Sequence, residues 1–277
     1  MSDAERPNPF LDRLRAGELT LMLGVRGSRT PDVVRIAAAT GHHAVLIDLE
    51  HSAMSFDVAA QMCAAAGDLG LASFVRVPER DYGTIGRLLD GGAQGIVAPR
   101  IETVSEAVTI SRACRFPLRG QRSQIASVPQ LGMRPTPATT SNPTLDAQTI
   151  VQILLETPAG IANADAIARL EGVDMLAIGA NDLTAELGAP GRYDHPAVRD
   201  AVASVAEACR RHGKLLMLGG IGDLSVLASL SALGACPLLL TGMDTDLLFG
   251  AARLRVETLG AWHAASARTD GRGPVVA

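Results

Sequence analysis

Eight short apolar runs alternate with longer stretches of helical spacing along this chain, and that rhythm limits its fold more than any other feature. The strand-like runs fall at 19–25, 44–49, 72–77, 95–99, 150–156, 175–179, 214–218 and 237–241. Helix-like stretches fall at 31–40, 56–68, 82–90, 104–114, 162–170, 197–212, 224–233 and 247–264. Strand alternating with helix predicts parallel strands joined by right-handed crossovers. Eight such units in about 250 residues predict an α/β chain closed as a (β/α)8 TIM barrel. An open doubly wound sheet commonly carries a Gly-rich dinucleotide loop after its first strand, and Gly24-Val25-Arg26-Gly27 does not match that pattern. The reading is therefore one barrel domain over 1–265, with a flexible tail at 266–277 and a loose start at 1–8. One segment breaks the rhythm. Residues 116–149, rich in Pro, Ser, Thr, Arg and Gln, read as a long irregular loop, either a lid or subunit contact or plain disorder.

Composition narrows the partners. With 47% hydrophobic residues the chain can bury a full core, and with only 3% aromatics that core must be aliphatic, which suits parallel barrel strands. A net charge of -4 with no basic patch argues against nucleic acid. No apolar run reaches membrane-spanning length. The first six residues lack a secretory pattern, so a cytoplasmic setting is expected. Cys63, Cys114, Cys209 and Cys236 are dispersed and read as reduced thiols without chemistry.

In a barrel the C-terminal strand ends converge on one face, where active sites are built. Four stretches end predicted strands with chemistry: Asp48-Leu49-Glu50-His51, Arg76-Val77, Glu156-Thr157 and Gly179-Ala180-Asn181-Asp182. Glu156 and Asp182, on adjacent strand ends, can share one divalent cation. Carboxylates without Cys or paired His favour Mg²⁺ or Mn²⁺, with Co²⁺ also compatible. A strand-end salt bridge for Glu156 and a helix cap for Asp182 are the structural alternatives. Arg76 ends an apolar strand and needs an anion, from substrate or from an internal ion pair. His51 lies three residues after Asp48, and a carboxylate near an imidazole fixes its tautomer. The other histidines, His42, His43, His195, His212 and His263, read as surface or satisfied residues. The chain has one lysine, Lys214, against twenty-four arginines. It begins the seventh strand, on the non-catalytic face, so Schiff-base chemistry is not expected and an enolate would need a metal. Gly219-Gly220-Ile221-Gly222 is either an anion-binding turn or a plain one.

Taken in order and spacing, these stretches resemble the HpcH/HpaI aldolase/citrate lyase family, and within it the metal-dependent class II pyruvate aldolases. The resemblance runs from about Gly17 to Leu259. It rests on Ile47-Asp48-Leu49-Glu50-His51, Val75-Arg76-Val77, Leu89-Asp90-Gly91-Gly92-Ala93-Gln94-Gly95 with Pro99, Glu156-Thr157, Ile178-Gly179-Ala180-Asn181-Asp182-Leu183 and Thr241-Gly242-Met243-Asp244-Thr245. It implies that Glu156 and Asp182 hold the metal and that pyruvate chelates it. It further implies that Arg76 stabilises the enolate oxygen and that His51, oriented by Asp48, is the base. Backbone N–H groups at Asn181 and Asp182 would receive the pyruvate carboxylate, with Gly179 and Leu218 lining the substrate pocket. The implied reaction is reversible cleavage of a 4-hydroxy-2-oxo acid into pyruvate and an aldehyde. The implied assembly is a homo-oligomer, a trimer or hexamer, whose last helix is exchanged between neighbours.

The sequence departs from the family where Leu154 stands at a common Gln position, where Gly120-Gln121-Arg122-Ser123 replaces Gly-x-Arg-Gly, and where Asn181 precedes the metal-site Asp182. These changes bear on the pocket rim. The rival readings are a citrate-lyase-like or citrate-synthase-like enzyme using oxaloacetate or an acyl-CoA, a non-catalytic metabolite-binding barrel, and a sugar-phosphate isomerase barrel.

Overall fold

The computed structural model describes residues 8–269. Eight parallel strands, β1 (Thr20–Val25), β2 (Ala44–Asp48), β3 (Ala72–Arg76), β4 (Gly95–Ala98), β5 (Ile150–Leu155), β6 (Met175–Gly179), β7 (Leu215–Gly219) and β8 (Leu238–Met243), follow one another in the order β7-β6-β5-β4-β3-β2-β1-β8. All eight expected strands are present, in a nearly closed barrel. Among the described residues no ladder pairs β7 with β8, and the seam is bridged where Cys236 N donates to Leu216 O at 2.8 Å.

Strand alternation sorts the side chains into two layers. Inside the barrel lie Met22, Ala44, Ala72, Phe74, Val97, Ile150, Leu154, Met175, Ala177, Met217 and Leu238. Val45, Ile47, Val75, Val151, Ile153, Leu155, Leu176 and Leu216 face outward and pack on the helices. On β5 the inward series runs Ile150, Gln152, Leu154 and then, one step past the strand, Glu156. On β3 it is Ala72, Phe74, Arg76, and on β2 it is Ala44, Leu46, Asp48. Period 2 thus delivers Asp48, Arg76 and Glu156 to the same inward rim.

The helices are α1 (Pro9–Arg15), α2 (Asp32–Ala39), α3 (Phe56–Asp68), α4 (Ile85–Asp90), α5 (Val104–Cys114), α6 (Ala138–Gln148), α7 (Pro158–Ala162), α8 (Ala164–Ala168), α9 (Ala180–Glu186), α10 (Pro196–His212), α11 (Leu224–Ser231) and α12 (Asp244–Thr269). None is long and apolar enough to cross a membrane, among the described residues.

Three expectations are corrected. The expected loose start at 1–8 gives way at Asn8, which caps α1 by accepting from Leu11 N at 3.3 Å; residues 1–7 lie outside the described residues. Leu11 and Leu14 of α1 close the floor of the barrel, and Phe10 meets Phe74 with ring centroids 5.1 Å apart. The expected irregular loop at 116–149 contains α6, whose Ser, Thr, Asn and Pro have weak helix propensity. Tertiary contacts hold it instead. Phe116, Val128 and Leu145 form a small core of their own, and the buried Arg115 donates to Asp146 O, Thr149 O and Gly172 O and pairs with Asp174 at 2.7 Å. The segment also binds the β4 entrance through Gln130, which donates to Leu89 O and Ala93 O. It therefore sits at the N-terminal end of the strands, and within this chain it is no lid over the opposite rim. Where a tail is expected from 266, α12 continues to Thr269; residues 270–277 lie outside the described residues.

Candidate active site

Asp48 and Arg76 are register partners on the adjacent strands β2 and β3. Their pairing is bidentate: Arg76 Nε donates to Asp48 Oδ1 at 3.0 Å and Nη2 donates to Oδ2 at 2.6 Å. Asp48 is fully buried, and its Oδ1 also accepts the backbone N–H groups of Glu50 (3.1 Å) and His51 (3.2 Å). Burial opposes ionisation of this carboxyl, but the Arg76 hydrogen bonds outweigh it and hold the group below the usual carboxylate range. A third contact fixes the guanidinium, where Arg76 Nη1 meets Glu50 Oε2 at 3.0 Å.

This geometry corrects one expected role. Asp48 spends its oxygens on Arg76 and on two backbone donors, so it positions the guanidinium and not the imidazole. The carboxylate beside the half-exposed His51 ring is Glu50, with Oε2 3.7 Å from Nε2. Glu50 was legible in the quoted Asp48–His51 stretch, yet sequence spacing could not tell which of the two carboxylates turned toward the ring.

Glu156 is 5% exposed, and its Oε2 accepts the backbone N–H of Arg100 at 3.0 Å. Burial pushes this carboxyl up to about 7, and the charges of Asp182 and Glu50 add to the effect. Glycine is required opposite it: a Cβ on Gly179 would stand 2.3 Å from Glu156 Oε1. Helix α9 starts at Ala180, immediately after that glycine, so the N–H groups of Ala180, Asn181 and Asp182 belong to a first helical turn and lack partners within the helix. The Asn181 side chain is tied outward by Tyr193, whose hydroxyl donates to Oδ1.

A cavity of about 720 Å³ collects these groups, with His51, Arg76, Glu156, Gly179, Asn181 and Asp182 all on its wall. Leu218 borders it too, but its side chain belongs to the core between strands and helices; alternation turns Met217 and Gly219 inward instead. Gln152 reaches the cavity one turn of the pleat below Leu154 and donates to Met217 Sδ at 3.3 Å. Arg26, at the end of β1, also lines the cavity, and sequence reasoning passed over it because nothing local marks its direction. A second hollow of about 920 Å³ lies at the opposite end, between α1 and the turns before β2 and β3, where Arg13 pairs with Glu18 at 2.8 Å.

The carboxylates suit a hard divalent cation. Glu156 is a buried acid destabilised by the neighbouring charges of Asp182 and Glu50, which is the imbalance a cation relieves. Among the described residues no group of three or more His, Cys, Asp or Glu side chains is arranged to hold a metal unaided. Glu156 and Asp182 could serve as two protein ligands, which would leave positions for water and substrate.

Comparison with known proteins gives the family and the fold. The family model for HpcH/HpaI aldolase/citrate lyase matches residues 22–219. A 4-hydroxy-4-methyl-2-oxoglutarate aldolase of Chaetomium globosum is 40% identical over 216 residues, covering 77% of this chain and 80% of that protein. A 4-hydroxy-2-oxovalerate aldolase of Rhodococcus jostii is 33% identical over 217 residues, covering 77% and 81%. The crystal structure of an HpcH/HpaI aldolase from Desulfitobacterium hafniense superposes with a TM-score of 0.83 at 26% identity, covering 90% of this chain and 95% of that one.

Proposed function

The chain belongs to the HpcH/HpaI aldolase/citrate lyase family, and we propose that it is a class II pyruvate aldolase that reversibly cleaves 4-hydroxy-2-oxo acids into pyruvate and a carbonyl fragment. The observation that carries this reading is the Arg76 guanidinium, held by Asp48 and Glu50, in one cavity with the carboxylates Glu156 and Asp182.

Breaking the bond between C3 and C4 leaves an electron pair that must be delocalised onto the C2 oxygen. Arg76 is fixed in advance by three contacts, so it meets that developing charge without reorganising. Glu156 and Asp182 would hold a divalent cation, Mg²⁺ or Mn²⁺, which would supply Lewis-acid chemistry to the developing enolate. His51 Nε2, with Glu50 beside it, takes the proton of the 4-hydroxyl as the new carbonyl forms, and returns it in the synthetic direction. The N–H groups of the first turn of α9, which lack partners within the helix, suit the substrate's C1 carboxylate. Lys214 has no part in this. Its ammonium donates to Leu170 O at 3.1 Å and Val173 O at 2.6 Å, beneath the barrel.

The working unit in this reading is a homo-oligomer, trimer or hexamer, in which α12 crosses to a second copy. Leu248, Phe249, Leu254, Val256 and Trp262 of that helix are all exposed on the single chain, and Leu224 stands 75% exposed beside the unladdered seam between β7 and β8. A monomer by light scattering at micromolar concentration would overturn the assembly.

Proton–deuterium exchange of the pyruvate methyl group, followed by NMR on EDTA-treated protein with and without Mg²⁺ or Mn²⁺, tests the activity. Metal-dependent exchange is expected. No exchange under either metal would remove the aldolase reading and favour an acyl-thioester enzyme.

A further inference from the structure

Six ionisable side chains border the cavity: Arg26, His51, Arg76, Glu156, Asp182 and Asp246. Four of them follow β2, β3, β5 and β6 and form the half assigned above to pyruvate. The wall contributed by β7, β8 and β1 is apolar, with Leu21, Met22, Met217, Leu239, Leu240 and Met243. In that half only Arg26 and Asp246 carry charge. Strand β1 stands four places from β5 in the barrel, so Arg26 faces Glu156 across the mouth.

The backbone that carries Arg26 is pinned. Asp244, at the start of α12, accepts the N–H groups of Arg26 (2.9 Å), Gly27 (3.0 Å) and Ser28 (2.6 Å). Glycine at 27 makes room for this clasp, since a Cβ there would lie 2.5 Å from Thr245 Cγ2. The guanidinium itself is held loosely. A single nitrogen, Nη2, makes both of its contacts, to Thr245 Oγ1 at 3.1 Å and to Asp246 Oδ1 at 3.3 Å. Asp246 is 66% exposed, so water already screens that pair and exchanging it for another carboxylate costs little. Arginine presents a planar fork that fits a carboxylate through two parallel hydrogen bonds. Compare Arg76, three of whose five N–H groups already meet Asp48 and Glu50.

We propose that Arg26 selects substrates whose carbonyl fragment bears a carboxylate, so that this enzyme prefers dicarboxylic 4-hydroxy-2-oxo acids over those with an alkyl tail. Glu156 and Asp182 on the opposite wall repel a second carboxylate, which turns the tail toward β8 and β1, and there, among the described residues, Arg26 is the cation on the wall. The inference rests on the aldolase reading and specifies the substrate class of the same site.

Its test compares cleavage of 4-hydroxy-2-oxoglutarate with that of 4-hydroxy-2-oxopentanoate, which differ only by carboxylate against methyl at C4. Wild-type protein is expected to favour the dicarboxylate in kcat/KM. Arg26→Leu should lower that preference tenfold or more, chiefly through KM, and Arg26→Lys should restore part of it. Asp246→Asn, which removes the competing carboxylate, should raise it. A preference within twofold of wild type in Arg26→Leu overturns the proposal, as does an unchanged or lower preference in Asp246→Asn should Arg26→Leu fail to fold. Loss of pyruvate methyl exchange in the wild-type protein would instead overturn the aldolase reading, so the two failures are distinguishable.

Discussion

Gly179 and Glu156 compete for one volume: the place where a Cβ at 179 would stand is 2.3 Å from Glu156 Oε1, 2.7 Å from Cγ and 2.9 Å from Cδ. The last residue of β6 is therefore a cast of the acid on β5. Gly179→Ala should displace the carboxylate, weaken Mg²⁺ or Mn²⁺ binding at least tenfold and cost about 1–3 kcal/mol of stability. Calorimetric titration with metal and thermal unfolding of the same sample measure both. Unaltered metal affinity would separate Glu156 from the metal.

Glu156→Gln should abolish metal-dependent turnover while the barrel stays folded, because the side chain keeps its shape and its acceptor oxygen for Arg100 N. Circular dichroism and the exchange assay check the two halves. Undiminished turnover would sink the metal assignment.

The raised carboxyl of Glu156 also sets a pH dependence. Its value moves from 4.5 to about 7 on folding, so below 4.5 both folded and unfolded chains hold the proton and no penalty arises. Between 4.5 and 7 the unfolded chain releases that proton first, and stability contributed by the group is lost as pH rises through this window. Above 7 the loss is about 3 kcal/mol. EDTA-treated protein should melt at lower temperature at pH 8 than at pH 5.5, saturating metal should flatten the difference, and Glu156→Gln should remove it. An identical slope in Glu156→Gln would trace the effect to other groups.

Arg76→Lys keeps a positive charge but loses the fork that binds Asp48 in two places. Turnover should fall by about 3 kcal/mol of transition-state stabilisation, the scale of a lost oxyanion donor. A change under threefold in kcat would contradict the role of Arg76. The variant should also be less stable, since the fully buried Asp48 would lose its bidentate partner.

At the other end of the barrel, Arg115→Ala should destabilise the chain by about 3–5 kcal/mol, because it strips a hydrogen-bond donor from three carbonyls and leaves Asp174 without its cation. At permissive temperature the exchange activity should persist, as Arg115 is remote from the cavity. Differential scanning calorimetry beside the NMR assay separates the two effects.

The strands and most of the site were legible because period 2 carries its own information. Once 150–156 reads as a strand, Glu156 must share a face with Leu154 and Gln152. The helices outside the expected stretches, α1, α6, α7 and α9, are short or poor in helix formers; α1 gains its stability from Leu11 and Leu14 under the barrel, and α6 from Leu145 beside Phe116. Neither contact leaves a trace in local spacing. The resemblance puts Leu218 at the pocket, and it does border the cavity, but strand alternation turns its side chain toward the helices and Met217 inward.

What the sequence determined by itself was the number of strands, their parallel order and the residue types that end them, since apolar period and strand–helix alternation are local properties. The tertiary structure alone decided which charges meet. Asp48 pairs with Arg76 because β2 and β3 are in register, Glu50 is left to face His51 because Asp48 is already saturated, and Arg26 shares a cavity with Glu156 because closing eight strands places β1 four strands from β5. Electrostatic pairing depends on distances through space, and a one-dimensional pattern does not contain them.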